Sequence, residues 1–179
     1  MDKIVHPVIR RVYLVERLPD PLTPASSHLQ IFDRYIAGTR LRIRSIRDPY
    51  DGSWTRILQQ PAVSPDQVGI HLNAAEHNIF KHLPGTEVRK NRYFHEFDNR
   101  SFAFDIYLGD LLGLKTAKVG FETTEDLGHF IPPRFTLYDV TDNAFFEGAS
   151  LATKSVADID REIARLAAGV QLEDLNEAE

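Results

Sequence analysis

The segment from Thr39 to Ile46 alternates strictly between polar and aliphatic residues, and this period of two is the strongest constraint on the fold. It places Arg40, Arg42 and Arg44 on one face and leucine and isoleucine on the other. Successive side chains point to opposite faces in a strand, whereas a helix repeats every 3.6 residues. The segment therefore predicts a half-buried β-strand with an arginine-lined face.

Further strand candidates recur along the chain, and most of them are bounded by proline, glycine, asparagine or aspartate. Their composition is rich in β-branched and aromatic residues, which favour strands. The predicted strands span residues 8–15, 27–36, 39–46, 54–59, 68–72, 86–94, 101–107 and 114–122, and the segment 135–140 is ambiguous.

Two helices are predicted. Asn73 is a suitable N-cap for a helix over 74–82. Ser155, with Asp158 three residues later, forms a capping-box variant at the start of a C-terminal helix that Gly169 ends. The apolar stripe of this helix is expected to dock on the sheet through Val156, Ile159, Ile163 and Leu166.

About eight strands with few helices predict an α+β protein that is mainly an antiparallel sheet or barrel. We expect one domain over residues 1–168, which includes the C-terminal helix, and an acidic tail over 169–179. A length of 179 residues and a hydrophobic content of 42% suit a single domain with a substantial core.

The absence of cysteine excludes a disulfide framework, a thiolate metal site and a cysteine nucleophile. It fits a reducing compartment, and we expect the protein to be cytoplasmic. No apolar run approaches the roughly 18 residues of a membrane-spanning helix, so no membrane partner is expected.

Charge is distributed unevenly along the chain. The net charge is −5, but the first 56 residues hold 10 Lys/Arg against 6 Asp/Glu. An acidic total argues against general nucleic-acid binding. A basic first third within an acidic protein instead indicates a local anion site.

The basic strands are the first candidate site. Arg40, Arg42 and Arg44 would project from one face at intervals of about 7 Å. They need open solvent, facing carboxylates or a bound polyanion, and the planar guanidinium suits phosphate. Lys90 and Arg92 share a face of a second predicted strand.

Two carboxylates are the second candidate site. Asp105 and Glu122 lie in predicted strands and are flanked by apolar residues. Each could pair with an arginine across the sheet, or the two could hold a cation. The common metalloprotease, phosphate-loop, dinucleotide and serine-hydrolase motifs are absent.

The order of segments over residues 8–152 resembles the CYTH family of triphosphate tunnel metalloenzymes. Residues 11–15, RVYLV, resemble its R-K-F-L-V strand, and residues 31–36, IFDRYI, resemble I-x-Q-G-Y-L. Arg40-Leu41-Arg42-Ile43 matches R-x-R-I, and residues 89–93, RKNRY, resemble K-x-R-Y. The later segments that resemble the family are FDIY at 104–107, GL at 113–114, AKV at 117–119, VTD at 140–142 and ASLA at 149–152.

The resemblance implies a closed eight-stranded β-barrel with accessory helices, a tunnel in which basic residues hold a triphosphate and acidic residues hold Mg²⁺ or Mn²⁺. Most of the family's acidic positions are replaced in this sequence. The residues at these acidic positions are Val8, Arg10, Gly69, His71, Ala103, Lys118 and Gly120, and Val12 stands where the family's first strand has lysine. Asp105 remains, Glu122 lies just beyond the last pair, and Arg10 and Lys118 add positive charge.

This selective loss favours a non-catalytic CYTH-like domain that binds a small anion such as a triphosphate, a nucleotide or polyphosphate. Its catalytic residues are unknown and no cofactor is expected. A second copy of the chain is a candidate partner. The expected ligand-binding residues are Arg10, Arg40, Arg42, Arg44, Lys90, Arg92 and Lys118.

Two alternatives stay open. The chain could be a divergent triphosphate hydrolase or adenylate cyclase-like enzyme, with Mg²⁺ or Mn²⁺ at Asp105 and Glu122 and perhaps His71. It could also be a barrel that binds a protein or an apolar ligand, with its arginines paired internally.

Overall fold

A computed structural model describes residues 9–60 and 69–176, with side chains described as far as residue 169. Its backbone is dominated by one antiparallel sheet of nine strands. The strands are β1 Ile9–Val15, β2 Leu29–Ile36, β3 Arg42–Arg47, β4 Trp54–Gln59, β5 Gly69–His71, β6 Gly85–Phe97, β7 Arg100–Leu108, β8 Lys115–Phe121 and β9 Thr136–Asp139. The helices are α1 Ala74–Phe80, α2 Thr124–Gly128, α3 Gly148–Leu151 and α4 Val156–Asn176.

The strands pair in the order β5-β4-β3-β2-β6-β7-β8-β1-β9. The α+β, mainly antiparallel fold is confirmed, with nine strands because the ambiguous segment 135–140 forms β9. Among the described residues β5 and β9 are the edges, and no pairing joins them. Closure of the sheet into an eight-stranded barrel is therefore not confirmed.

One sheet face is apolar and aromatic where β1, β6, β7 and β8 meet. Phe102 and Phe104 are fully buried there, and the segment after α2 covers them through Phe130 and Phe135. Asp98 and Asn99 adopt positive φ in the two-residue β6–β7 turn, a backbone that these two residue types tolerate. This turn fixes the long hairpin in the middle of the sheet.

The other sheet face carries the basic side chains and is covered at one end by α3 and α4. Leu14, Val88 and Tyr107 of this face form a second core with Leu151 of α3 and Ile159 of α4. Gly148 lies where a Cβ would meet the Tyr35 hydroxyl at 1.9 Å, so glycine is needed for this close packing. Packing of the helices thus closes one end of the basic face.

The C-terminal helix begins as predicted but ends later than predicted. Ser155 and Asp158 form the expected reciprocal cap, with the Ser155 amide donating to Asp158 Oδ2 at 3.0 Å. The helix continues through Gly169 to Asn176, so the prediction of its end was wrong. Ile159 is 1% exposed, and Ile163 and Leu166 pack beside it, whereas Val156 is 40% exposed and lies outside the docking stripe.

The apolar stripe of α4, formed by Ile159, Ile163 and Leu166, is expected to contribute to the free energy of unfolding. Ile159→Val is expected to lower the free energy of unfolding by about 1 kcal/mol, because it removes one buried methylene from a packed site. Val156→Ala is the matched control and should change stability by less than about 0.5 kcal/mol. Urea denaturation followed by circular dichroism measures both, and equal losses in the two variants would contradict this docking geometry.

Candidate anion-binding face

Strand register brings five of the predicted basic residues to one sheet face. Asp33 of β2 lies opposite both Arg44 of β3 and Val88 of β6, and Lys90 and Arg92 follow Val88 at the strand period. Residues directly opposite one another in an antiparallel pair share a face. Continuing this register across the sheet defines the charged face, which carries Arg42, Arg44, Lys90, Arg92 and Lys118.

Asp33 holds the basic side chains of β3. Arg44 lies directly across from it and donates two hydrogen bonds, from Nε and Nη2, at 2.6 and 2.7 Å. Arg42 Nε lies 3.9 Å from the same carboxylate, and its Nη2 donates to Gln59 Oε1 at 2.6 Å. Burial raises the pKa of Asp33, but Arg44, together with the charges of Lys90 and Arg42, outweighs that effect and keeps the pKa below its ordinary value.

Asp105 is the centre of the second cluster, and it contacts three cations. Arg92 lies directly opposite on β6 and forms a bidentate pair at 2.6 and 2.8 Å. Lys90 and Lys118 are diagonal neighbours on β6 and β8, with Nζ atoms 2.8 and 3.2 Å from Asp105 Oδ2. Burial raises the pKa of this carboxyl, but Lys90, Lys118 and Arg92 together hold it well below 3.8.

Lys118 is the most accessible cation of the Asp105 cluster. Its side chain is 29% exposed, compared with 19% for Arg92 and 5% for Lys90. Burial and the neighbouring charge of Lys90 lower the pKa of Lys118 to about 7, although Asp105 opposes them. Lys118 is thus a cation whose charge any additional anion on this face would stabilise.

The remaining two predicted ligand residues lie away from the clusters. Arg10 is exposed and lies opposite Gly120, two residues along β1 from the partner of Lys118, so it extends the charged face towards solvent. Arg40 is exposed in the turn before β3 and is not part of the strand. The prediction that Arg40 and Arg42 share a strand face was therefore wrong.

The structure does not bring Asp105 and Glu122 together. Asp105 lies opposite Thr116, and Glu122 is six residues further along the chain, about 20 Å away in an extended strand. Glu122 is exposed beyond the end of β8. Within residues 9–60 and 69–169, no three His, Asp or Glu side chains lie close enough to hold a metal ion.

The replaced family positions fall on the charged face, as the resemblance requires. Register places Val12, Ala103 and Lys118 in one row across β1, β8 and β7, and places Gly120 next to Arg10. Gly69 and His71 of β5 lie in the rows of Arg42 and Arg44. Val8 lies outside the described residues.

Sequence reasoning missed Asp33. It is 2% exposed, and it anchors β3 as Asp105 anchors β6 and β8. The available signal was an aspartate that shares a face of a period-two strand with Ile31 and Tyr35, although Arg34 follows it directly, whereas Asp105 has apolar residues on both sides.

None of the helices in the described part of the chain is long and apolar enough to cross a lipid bilayer.

Neither the protein-family models nor the curated proteins give a match to this sequence. Solved structures do. The crystal structure of the inorganic triphosphatase NE1496 is 21% identical, covers 81% of this chain and 93% of its own, and superposes with a TM-score of 0.58. A second crystal structure, of NE1496 as a hypothetical protein, is 20% identical, covers 83% of this chain and 99% of its own, and gives a TM-score of 0.60. At this identity the likeness shows the fold alone, and this chain shares its fold with NE1496.

Proposed function

We propose that this chain is a CYTH-like domain that binds a polyphosphate-type anion on its charged face without hydrolysing it. The observation that carries the proposal is the excess of cations over carboxylates. Among the described residues, five basic side chains share this face with two carboxylates, so the cations outnumber the carboxylates. An excess of positive charge on a largely buried face favours an additional anion.

The geometry suits an extended anion with several charges. Asp33 and Asp105 organise two clusters on neighbouring strands, and the field of Asp105 reaches Arg44 while that of Asp33 reaches Lys90. A chain of phosphates can contact both clusters, because guanidinium and ammonium groups donate hydrogen bonds to phosphate oxygens. Inorganic triphosphate is the class of compound that the description of NE1496 names, which supports it as the first ligand to test.

The arrangement supports binding more than hydrolysis. Triphosphate chemistry in proteins relies on divalent metal to neutralise charge and orient the nucleophile. Both buried carboxylates of the charged face are occupied by arginine and lysine, so neither has free oxygen atoms to offer a metal. The positive side chains supply the neutralisation that a metal would otherwise supply.

One observation favours a second candidate function. Arg44 and Arg92 are paired internally, as expected for a barrel that binds a protein or an apolar ligand. The two functions differ in their response to anions, because only the first predicts saturable, salt-sensitive binding of tripolyphosphate.

Tripolyphosphate binding tests the proposal. Lys118→Met is expected to weaken binding about tenfold, close to 1.4 kcal/mol, because it removes the most accessible cation but leaves Asp105 paired with Arg92 and Lys90. Arg40→Ala is the matched control, and this exposed turn residue should change affinity by no more than about twofold. Calorimetric titration at two salt concentrations measures both, and binding should weaken at the higher concentration.

The pH dependence gives a further check of this binding prediction. Anion binding favours charged Lys118, so it draws a proton onto this residue where the free protein has lost it. The free-protein pKa is about 7, so the affinity ratio of wild type to Lys118→Met should be constant below pH 7 and should fall above it. Titration of the ligand affects both proteins and cancels in the ratio. A ratio of one at every pH would remove Lys118 from the site, and no binding by the wild type would overturn the proposed function.

A further inference from the structure

A separate cavity of about 350 Å³ lies on the sheet face opposite the charged face. Its floor is formed by Phe32, Ile43 and Ser45, and α1 with its following turn forms one wall. The register confirms the separation, since Ser45 and Ile43 alternate with Arg42 and Arg44 along β3. We name this cavity the outer pocket. Its volume lies in the range of small-molecule sites, roughly 300–1,000 Å³.

The second wall of the outer pocket is aromatic. Trp54 lies against Phe32 with ring centroids 5.9 Å apart, and the Arg56 guanidinium lies 5.5 Å from the centre of the Trp54 ring. Trp54 remains 44% exposed, which is unusual for the largest aromatic side chain when it lines a cavity. This wall offers a flat surface on which a second planar ring can stack.

The outer pocket holds more cations than carboxylates. Arg34 and Lys81 line it together with Glu87, which lies opposite Arg34 on β6, and Arg56 lies beside it on β4. Among the described residues none of these three cations has a carboxylate within 4.0 Å, in contrast to the paired cations of the charged face. Arg34 is oriented by hydrogen bonds to the Leu83 carbonyl oxygen, the shorter of which is 2.8 Å.

Two polar groups lie at the base of the outer pocket. The Ser45 hydroxyl and His77 Nε2 are 2.8 Å apart and join β3 to α1. Burial lowers the pKa of His77 below 6.5, and the fields of Arg56 and Lys81 lower it further. The same two cations therefore act on the interior of the pocket, where a neutral imidazole and a hydroxyl are available as hydrogen-bonding groups.

We infer that the outer pocket binds a small aromatic anion: a planar ring that stacks on Trp54, joined to one phosphate or carboxylate group that Lys81 and Arg56 hold. The stacking surface and the unpaired cations are adjacent, so a ligand that carries both features satisfies both at once. A ring without charge leaves the cations uncompensated, and a phosphate without a ring leaves the aromatic wall exposed. This inference is independent of the proposed function, because the sheet separates the two sites.

Trp54 is the single tryptophan of the chain, so its fluorescence reports on the outer pocket directly. We expect saturable quenching on titration with AMP and with phenyl phosphate, which share the ring and the anion but differ in everything else. Adenosine and ribose 5-phosphate, which each lack one of the two features, should bind at least about tenfold more weakly. Quenching by adenosine equal to that by AMP would overturn the role of the cations.

Lysine variants and competition with tripolyphosphate test whether AMP binds in the outer pocket. Lys81→Ala should weaken AMP binding about tenfold, and Lys115→Ala, which removes a lysine from β8, is the matched control and should not. Saturating tripolyphosphate should leave AMP binding in place, since it is expected on the opposite face. The inference would be overturned if neither AMP nor phenyl phosphate gave saturable quenching, or if the two lysine variants lost AMP binding equally. Neither result would bear on tripolyphosphate binding by the charged face.

Discussion

Asp105→Asn is expected to lower the free energy of unfolding by about 3–5 kcal/mol, the usual cost of removing one partner from a buried ion pair. Asp105 is 0% exposed and is the shared counter-charge of Arg92, Lys90 and Lys118. Asparagine keeps the shape of the side chain but leaves three neighbouring cations without their counter-charge. The loss is a large fraction of the total stability of a typical domain.

Denaturant unfolding measures this loss, and Asp110→Asn is the matched control because Asp110 is exposed just after β7. The difference between wild type and Asp105→Asn should be followed from pH 5 downwards, where Lys118, with a pKa of about 7, stays protonated in the folded wild type. It should shrink at lower pH, because a carboxylate with a depressed pKa contributes stability that is lost as it becomes protonated in the folded state. A destabilisation no larger than that of Asp110→Asn would contradict the ion cluster.

The effect of tripolyphosphate on the stability of Asp105→Asn gives a further test of the proposed function. A ligand that binds only the folded state stabilises it by RT ln(1 + [L]/Kd), about 2.7 kcal/mol at a hundred times Kd. An anion on the charged face replaces the charge that Asp105→Asn removes, so the ligand should raise the stability of this variant more than that of the wild type. An equal or smaller increase would place the anion elsewhere.

Local signals in the sequence predicted local structure well. The bounds of β4 are those predicted, and Asn73 caps α1 through the amides of Ala75 and Glu76. The errors came from weak signals. An isolated glycine in a helix costs only about 1 kcal/mol relative to alanine, so Gly169 did not end α4.

The Arg40 error has a different physical cause. Gly38 adopts a φ of +70°, and the Thr39 hydroxyl accepts a hydrogen bond from the Leu41 amide at 3.0 Å. These features extend the turn after β2, and β3 therefore begins only at Arg42. Alternation of residue types continued into the turn, although the strand did not.

The sequence could predict which residues of the candidate site share a sheet face, but not which side chains pair with one another. Period-two alternation assigned Lys90 and Arg92 to one face, and this needs no knowledge of neighbouring strands. The pairing of Asp33 with Arg44 depends on the register of the β2–β3 hairpin, which the turn geometry sets. The three contacts of Asp105 depend on the register of three strands, and parity within one strand contains no information about it.

No turnover of tripolyphosphate or ATP above the buffer background is expected with Mg²⁺ or Mn²⁺, nor is cyclic AMP formation, although the fold is that of an inorganic triphosphatase. Typical enzymes turn over at about 1–10³ s⁻¹, so the expected difference spans at least several orders of magnitude. The expectation rests on the resemblance, which implies acidic residues at the positions of Ala103, Lys118 and Gly120 on the charged face. None of these three residues can supply a carboxylate to a metal.

Phosphate release measured beside NE1496 as a positive control tests this expectation, since that protein shares the fold and is described as an inorganic triphosphatase. Glu122→Gln should leave the background unchanged, because Glu122 is exposed about 20 Å along the sheet from the row of Asp105. Metal-dependent release that Glu122→Gln abolishes would overturn the non-catalytic assignment and identify the chain as a divergent hydrolase. Saturable binding of tripolyphosphate without phosphate release would support the proposal. In that case the cations neutralise the phosphates, but no group activates a water molecule for attack, so the triphosphate is bound and not cleaved.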